Sequence, residues 1–410
     1  MHRKLIVLLL VMLLALFAGT AHAQASVPPF ASVEDGTLTL TDAEGNTRPV
    51  ISAASFAYLA WNADHSQLAF IMRDENFVAS IGVVDAASGA VTLLNTPSLE
   101  SGYNLSWLAD GRILFAAINP ASNPSETPGM KVDLFALEPQ AGAQPQLLGT
   151  YDHGVGCGGG SNIPADWAYW SETAGFGGFF LTLAETPYGI VHSMDCGGST
   201  VGLFDPATGI TTQIASNYAK VIVSPDGERL AGVELNYTDR SASRLLVYSL
   251  ATQEFTEVAT AGEPNQMAWS ADGQSLYYSV RTPGINLVDG LDTDQKAALN
   301  QIFGFDVAEI PAYTTRIHQV TLANGEDVEF YSGDTYAVGR MIEVGDALYF
   351  SIIPNIGEWL EQLLAGEVAY DTFGSIPASV APAVLRLAPA ESPEAALLGM
   401  HDQFTPVTGQ

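Results

Sequence analysis

Residues 223–227 read VSPDG, and close variants of this segment recur as WNADH at 61–65, WLADG at 107–111 and WSADG at 269–273. In every copy a leucine follows the aspartate by four positions. Aspartate closes an Asx-type turn and glycine accepts a positive φ, so each copy predicts a tight turn between antiparallel strands. His65 replaces the glycine in the first copy and weakens its turn signal. The constant position of the leucine predicts the same register in all four returning strands.

A second hairpin follows each turn, as at Val83–Leu94 in the first repeat. Weaker copies of the turn are predicted at 170–180 and 342–350, and an additional hairpin at Thr37–Ile51 precedes the first copy. The first and second copies lie 46 residues apart, as do the third and fourth. Repeats of about 40 to 45 residues with four strands each are typical of β-propeller blades.

The repeats therefore predict an all-β fold, a β-propeller of four-stranded antiparallel blades with two short helical insertions on one face. Seven blades are favoured over six, because a strand within Val27–Glu34 and a C-terminal strand at Phe404–Val407 could complete a seventh blade. In the six-bladed alternative, the first hairpin packs outside the ring. A β-sandwich explains the repeats less well, since sandwiches do not repeat a turn signature in register.

The turn motif resembles the Ser-Pro-Asp-Gly repeats of TolB-like, WD40-like β-propellers. The resemblance covers nearly the whole chain after residue 25, and the unit Val223–Val258 matches the pattern most closely. It implies a protein that binds other proteins or peptides. Related propellers control substrate entry in serine peptidases, but such a peptidase would also carry a Gly-x-Ser-x-Gly motif, which this sequence lacks.

The N-terminal residues 1–25 read as a signal peptide. Arg3 and Lys4 precede an apolar run, and Ala21–Ala23 gives a small-residue cleavage pattern. Residues 26–410 then form the mature chain, a single domain without a membrane span, which we expect to be periplasmic or secreted. Its acidity, with a net charge of -30 for the full sequence, argues against nucleic acid and anionic membranes as partners.

The short turns are expected at one face of the propeller and the long connections at the other. Long loops gathered on one side of a rigid scaffold usually carry function. In one of them Asp292 can cap a helix through Gln295. The long connections are predicted at about 119–131, 185–198, 282–315 and 354–382.

Cys157 and Cys196 are the two cysteines of the chain, and export favours a disulfide between them. His153 and His192 each precede one of these cysteines by four residues. The four side chains could instead form a tetrahedral site for a divalent metal. The disulfide is preferred, because four residues of extended strand span about 13 Å.

No catalytic residues and no cofactor are predicted, since the familiar phosphate-binding, dinucleotide and metalloprotease motifs are missing from the sequence. The first hypothesis is a non-enzymatic binding protein that holds a protein or small-molecule ligand on the face built from the long loops. One alternative is a metal-dependent hydrolase or lactonase-type propeller, and another is a structural protein for assembly at the cell surface. The candidate contact residues, chosen for position and for the recognition chemistry of Tyr and Arg, are Tyr103, Asn104, Asp152, His153, Tyr188, His192, Tyr218, Asn265 and Arg281.

Overall fold

The strands of this protein form seven four-stranded antiparallel sheets arranged as the blades of a propeller. The computed structural model describes residues 27–76, 78–96, 105–119, 131–152, 181–195, 199–235, 242–283, 288, 290–303, 313–333, 338–352, 356–367, 383–390, 392, 394–401 and 403–407.

Three strands come before the first complete blade: β1 (Phe30–Glu34), β2 (Thr37–Thr41) and β3 (Thr47–Ser52). Blades one to three contain, in order, β4 (Ser55–Trp61), β5 (Gln67–Arg73), β6 (Ala79–Asp85), β7 (Val91–Leu93); β8 (Leu105–Trp107), β9 (Ile113–Ile118), β10 (Lys131–Leu137), β11 (Gln146–Asp152); β12 (Leu181–Thr186), β13 (Gly189–Asp195), β14 (Ser199–Asp205) and β15 (Ile210–Ser216). Blades four to six contain β16 (Tyr218–Val223), β17 (Arg229–Leu235), β18 (Ala242–Ser249), β19 (Glu254–Val258); β20 (Glu263–Trp269), β21 (Ser275–Pro283), β22 (Tyr313–Thr321), β23 (Glu326–Gly333); β24 (Val338–Val344), β25 (Ala347–Ile352), β26 (Ala383–Leu387) and β27 (Ala396–Met400).

The seventh blade joins the two ends of the chain. Strand β28 (Gln403–Pro406) pairs with β1, with Phe30 opposite Pro406, so the C-terminal strand becomes the inner strand of the N-terminal sheet. The ring of Phe404 stacks on that of Tyr349 in blade six, with centroids 5.8 Å apart. The predicted seven-bladed ring and its closure by the C-terminal strand are confirmed.

We letter the strands of each blade a to d from the axis outwards. Strand a of each blade contacts strand a of the next, from β28 through β4, β8, β12, β16 and β20 to β24. The inner strands thus surround the axis, and the hydrophobic core lies between successive blades. Clusters of buried apolar side chains, each shared by neighbouring sheets, fill these spaces.

The Asp-Gly turns form between strands a and b as the sequence predicts. The glycines have positive φ, as at Gly227 (70°) and Gly273 (69°), and His65 adopts the same conformation with φ 58°. Leu68, Leu114, Leu230 and Leu276, the leucines of the motif, are completely buried. Three turns share one register, whereas in blade two Trp107 pairs with Ile113 instead of Leu114, so the common register holds for three copies and not four.

In blades one, two and five, the tryptophan that begins the motif forms a hydrogen bond to the preceding blade. The indole N–H of Trp61 donates to the carbonyl of Thr405 (3.2 Å) in blade seven, and that of Trp107 donates to Ala60 (2.9 Å) in blade one. Trp269 reaches Ile222 of blade four in the same way (3.4 Å). The repeated tryptophan is therefore a link between inner strands as well as a core residue.

Blade three differs from the sequence prediction. Its strands a and b, β12 and β13, are joined by the two-residue turn at Pro187 and Tyr188. The segment 185–198 was predicted as a long b-c connection, but most of it is the a-b turn and strand b, and only 196–198 connects strands b and c. The turn predicted at 170–180 lies outside the described residues.

The two ends of the propeller are unequal. At the end that we call the turn end, short turns join strands a to b and c to d. At the opposite loop end, strands b and c, and d and the next a, are connected. The longest connections, 119–130, 153–180, 284–312 and 353–382, all leave strands at the loop end.

Two helices lie within these loop-end connections. Helix α1 (Thr293–Phe303) and helix α2 (Ile356–Ala365) contact each other. Asp292 and Gln295 form the predicted capping box, because each backbone N–H donates to the side chain of the other residue (3.0 and 2.8 Å). The two predicted helical insertions are therefore present.

Candidate functional site

Five polar side chains occupy equivalent positions on the inner strands. Each stands three residues before a tryptophan, valine or glutamate at or next to the end of its strand's pairing with strand b. We call them the axial residues. They are Tyr58, Thr182, Lys220, Gln266 and Arg340.

A bulge sets the axial position in four of these blades. The register between strands a and b shifts there, for example between Ala219 and Ile222 and between Val338 and Met341. A bulge redirects the side chain of the extra residue away from the regular alternation of the strand. Strand a is the inner edge of the blade, so its unpaired edge faces the axial channel of the propeller.

The backbone at this position is specialised. Tyr58 and Lys220 both have φ near 53°, in the left-handed region that residues other than glycine rarely adopt. In blade six the residue before Arg340 is Gly339, where a Cβ atom would lie 2.3 Å from the hydroxyl of Ser351. A side chain at this position would therefore require the Ser351 hydroxyl to move.

Hydrogen bonds link the axial residues to their neighbours. The ammonium of Lys220 donates to the side-chain carbonyl of Asn265 in the next blade. The hydroxyl of Thr182 donates to the backbone carbonyl of Val221 (2.5 Å), also one blade further. The backbone N–H of Gln266 donates to the Ser279 hydroxyl (2.9 Å). These bonds fix the inner strands of blades three, four and five relative to one another.

Arg340 is the axial residue with the least support from other side chains. Its side chain is exposed to solvent, yet the surrounding protein desolvates it enough to lower the pKa of the guanidinium. Among the described residues no carboxylate and no hydrogen-bond acceptor contacts it. Other arginines of the chain are paired, as Arg244 is with Glu234 (2.7 Å) and Arg316 with Glu329 (3.1 Å).

Tyr58 is the axial residue of blade one, and Arg73 ends strand b of the same blade. Burial raises the pKa of the Tyr58 hydroxyl to about 12, while the positive charge of Arg73 opposes that rise. Burial also lowers the pKa of Arg73. The chain has 45 acidic residues, but none of the five axial residues is acidic. The five axial residues, which together we call the axial ring, are therefore polar and include two cations, Lys220 and Arg340. Arg73 lies at the loop end of strand b in blade one.

The predicted contact residues do not form one site. Tyr188 lies in the a-b turn of blade three, at the turn end, with 39% of its surface exposed. His192 is buried in strand b, and its ring stacks on Tyr151 with centroids 3.8 Å apart. Tyr218 is 1% exposed, and its hydroxyl contacts the carbonyls of Leu230 and Leu246 inside blade four. These three residues occupy a surface turn and the inter-blade core.

Asn265 is the predicted residue that the structure brings to the axial ring, through its bond with Lys220. Asp152 ends β11 opposite Lys131, and Arg281 lies in β21 between Glu263 and Thr315, so both backbones reach the loop end. Tyr103, Asn104 and His153 lie outside the described residues.

The predicted disulfide and the alternative metal site cannot be located, because Cys157, Cys196 and His153 are outside the described residues. Within the described part of the chain, no three His, Cys, Asp or Glu side chains are grouped in a way that could hold a metal ion. No helix there is both long and apolar enough to cross a membrane.

The sequence carries a signal for the axial residues, which lies just outside the turn motif. The residue three positions before each aligned motif is Tyr58, Asn104, Lys220 or Gln266. These positions are polar in an otherwise apolar strand. Thr182 and Arg340 have no such signal, because their blades lack the Asp-Gly turn that would align them.

Comparisons with known proteins bear on the fold. No family model matches the chain, and no curated protein matches it in sequence. Solved structures do resemble it. A 6-phosphogluconolactonase described as putative, from Bacteroides fragilis, has 13% identity and a TM-score of 0.52, over 94% of this chain and 96% of that one. The β-propeller domain of the Trilobed protease from Pyrococcus furiosus has 10% identity and a TM-score of 0.51, over 92% and 94% of the two chains.

TolB from Acinetobacter baumannii is also among the matches, with 14% identity and a TM-score of 0.43 over 74% of this chain. The match spans 63% of the TolB chain. The propeller fold that the turn motif predicted is confirmed by the seven four-stranded antiparallel blades of the structure itself. At such low identity the likeness concerns architecture alone.

Proposed function

We propose that this chain is an exported, non-enzymatic binding protein whose loop end and channel mouth hold a ligand or a partner protein. The observation that carries the proposal is the inequality of the two ends. The long connections and both helices lie at one end of a rigid ring, and the other end is made of short turns. Binding residues concentrate on loops that a rigid scaffold positions.

The turn end supports this assignment because its polar groups are used internally. Asp226 accepts from the hydroxyl of Ser224 (2.5 Å) and the N–H of Glu228 (3.0 Å). Asp272 accepts from Ser270 (2.7 Å) and Gln274 (2.9 Å) in the same arrangement. Carboxylates that close their own turns have fewer lone pairs left for a partner.

The helices at the loop end present a polar surface that a partner protein could contact. Leu299 of α1 and Leu360 and Leu363 of α2 are buried, so the apolar faces of both helices are covered. The outer face of α1 is polar and includes the exposed residue Ala297. A partner that binds this end would contact the polar face and the channel mouth, which fits a reversible and partly polar interface.

The first test blocks each end in turn. Ala297→Trp places a large side chain on the exposed face of α1, and Ala207→Trp does the same in the exposed c-d turn of blade three at the turn end. With the full chain as bait in an extracytoplasmic extract of the encoding organism, we expect A297W to lower capture of the dominant partner by about tenfold or more. A207W is expected to capture as the unsubstituted chain does.

Equal capture by A297W, or a loss confined to A207W, would contradict the proposal. Turnover of lactone or ester substrates that a chelator abolishes would instead favour the metal-dependent hydrolase. Concentration-dependent self-association in light scattering, with no captured partner, would favour the structural assembly protein.

A further inference from the structure

We propose that the axial ring binds a small organic anion, whose carboxylate or phosphate group is held by Arg340 and Lys220. The inference rests on the proposed binding function and names the chemical class of its ligand. Its site lies in the channel, on strands a, and not on the loops themselves.

The first argument is the distribution of charge. The chain has 45 acidic and 15 basic residues, so a random set of ionisable groups on its surface would be mostly carboxylates. The five axial residues contain two cations and no carboxylate. A cationic channel within an acidic protein focuses the field on the axis and selects an anion against the surroundings.

The second argument is the state of Arg340. Most described arginines of this protein that reach a carboxylate are held by it, as Arg244 and Arg316 are. Arg340 has no such pair within the described chain, and its side chain is accessible to a ligand. A guanidinium presents its donors as a planar fork that fits the two oxygens of a carboxylate or phosphate. A bound anion would supply the missing counter-charge.

The third argument is the alignment of three neighbouring blades. Lys220, Gln266 and Arg340 stand at equivalent positions of strands a in blades four, five and six, three residues before Val223, Trp269 and Glu343, and each lies within a bulge. Their strands contact one another in that order. An ammonium, an amide and a guanidinium therefore form an arc at one height on the channel wall. Lys220 is directed towards the next blade by its bond with Asn265, which is 6% exposed.

Binding of small anions tests the inference directly. Calorimetric titration of the full chain would use citrate and inorganic phosphate as probes, with glucose as a neutral control. We expect at least one anion to bind and glucose not to bind, and the stronger anion identifies the group that the site prefers. Arg340→Gln should weaken binding about tenfold or more. Arg316→Gln is the matched control, because it removes an exposed arginine from the outer strands, and it should bind as the unsubstituted chain does.

A second measurement does not depend on the variants. Phenylglyoxal modifies accessible arginines, and site-resolved mass spectrometry follows each one. Arg340 should react faster than Arg244, which is held by Glu234 and Glu257, and the binding anion should slow its reaction while glucose does not. The melting temperature of R340Q should equal or exceed that of the unsubstituted chain, since the substitution removes an unpaired cation.

The outcomes separate this inference from the proposed function. If neither anion binds, or if R340Q and R316Q bind equally well, the anion site is wrong. Partner capture that is lost in A297W but normal in R340Q would then leave the binding function intact. If the anions bind through Arg340 while A297W captures normally, the axial site stands and the loop-end docking surface fails.

Discussion

The inner strands of blades two and six carry different residues at the equivalent position near their ends. Trp107 ends strand a of blade two before a long Asp-Gly turn, and Glu343 is the last residue but one of strand a in blade six, before the two-residue turn at Gly345 and Asp346. Both reach back to the preceding blade. Trp107 donates to the carbonyl of Ala60, whereas Glu343 accepts from the N–H of Ala271 (2.5 Å).

Blade three has the same carboxylate link as blade six, because Glu185 accepts from the N–H of Ala109 in blade two (2.5 Å). The comparison shows that the residue near the end of strand a links its blade to the previous one. An indole N–H makes this link in some blades and a carboxylate makes it in others. An indole extends into the core and finds a strand carbonyl. A carboxylate beside a short turn reaches the N–H exposed at the start of the preceding, longer turn. Turn length and residue type therefore change together.

The largest effect is expected from Trp107→Ala. The substitution removes a partly buried ring from the cluster between blades one and two and also the bond to Ala60. We expect the free energy of unfolding, measured by urea denaturation, to fall by about 3 kcal/mol. Trp107→Phe keeps most of the packing and loses the N–H, so it should cost about 1 kcal/mol. Equal losses in the two variants would show that the hydrogen bond, and not the ring, fastens the blades.

A smaller effect is expected at the glutamate blades, and it should differ between them. Glu343 also accepts from the buried hydroxyl of Tyr277 (2.5 Å), so Glu343→Ala leaves two donors without their acceptor. We expect a loss of about 2 kcal/mol in the same denaturation assay. Glu185 is exposed and accepts one N–H, so Glu185→Ala should cost about 0.5 kcal/mol. A larger loss at Glu185 would contradict this account of the link.

The smallest effect is a pH dependence of the long a-b turns, which the short a-b turn of blade six should lack. The N–H of Gln274 and the hydroxyl of Ser270 hold the pKa of Asp272 below its usual value. A folded pKa below the unfolded one means that the carboxylate stabilises the turn fully above the unfolded pKa, and that this stability disappears as the pH falls through the folded pKa. The melting-temperature advantage of the unsubstituted chain over Asp272→Asn should therefore shrink between about pH 5 and about pH 2.

Asp346 provides the matched control in a short turn. Within the described chain it accepts no hydrogen bond, so Asp346→Asn removes the same charge without removing a turn contact. Melting curves of the two variants over the same pH range compare the blade types directly. An advantage over D272N that does not change with pH would show that Asp272 stabilises its turn through geometry and not through its charge.

Much of the architecture could be predicted from local chemistry. The Asp-Gly turns and the buried leucines follow from residues that act on their immediate neighbours in sequence, whereas the closure by β28 pairs residues from the two ends of the chain. The sequence prediction for blade three is wrong because the turn at Pro187 and Tyr188 has no Asp-Gly signature, so the a-b turn is predicted at 170–180 instead. The candidate contact residues were chosen from loops whose limits depended on that assignment, so Tyr188 was placed at the wrong end.

The amino-acid sequence by itself determined the repeat and the fold class and favoured seven blades over six, because a tight turn and a fixed strand register are set by residues a few positions apart. The tertiary structure decided what meets at the axis. Lys220 and Arg340 belong to blades four and six, and they share a channel wall only because the inner strands of all blades surround one axis. No local pattern specifies that meeting, since it depends on the closure of the whole ring.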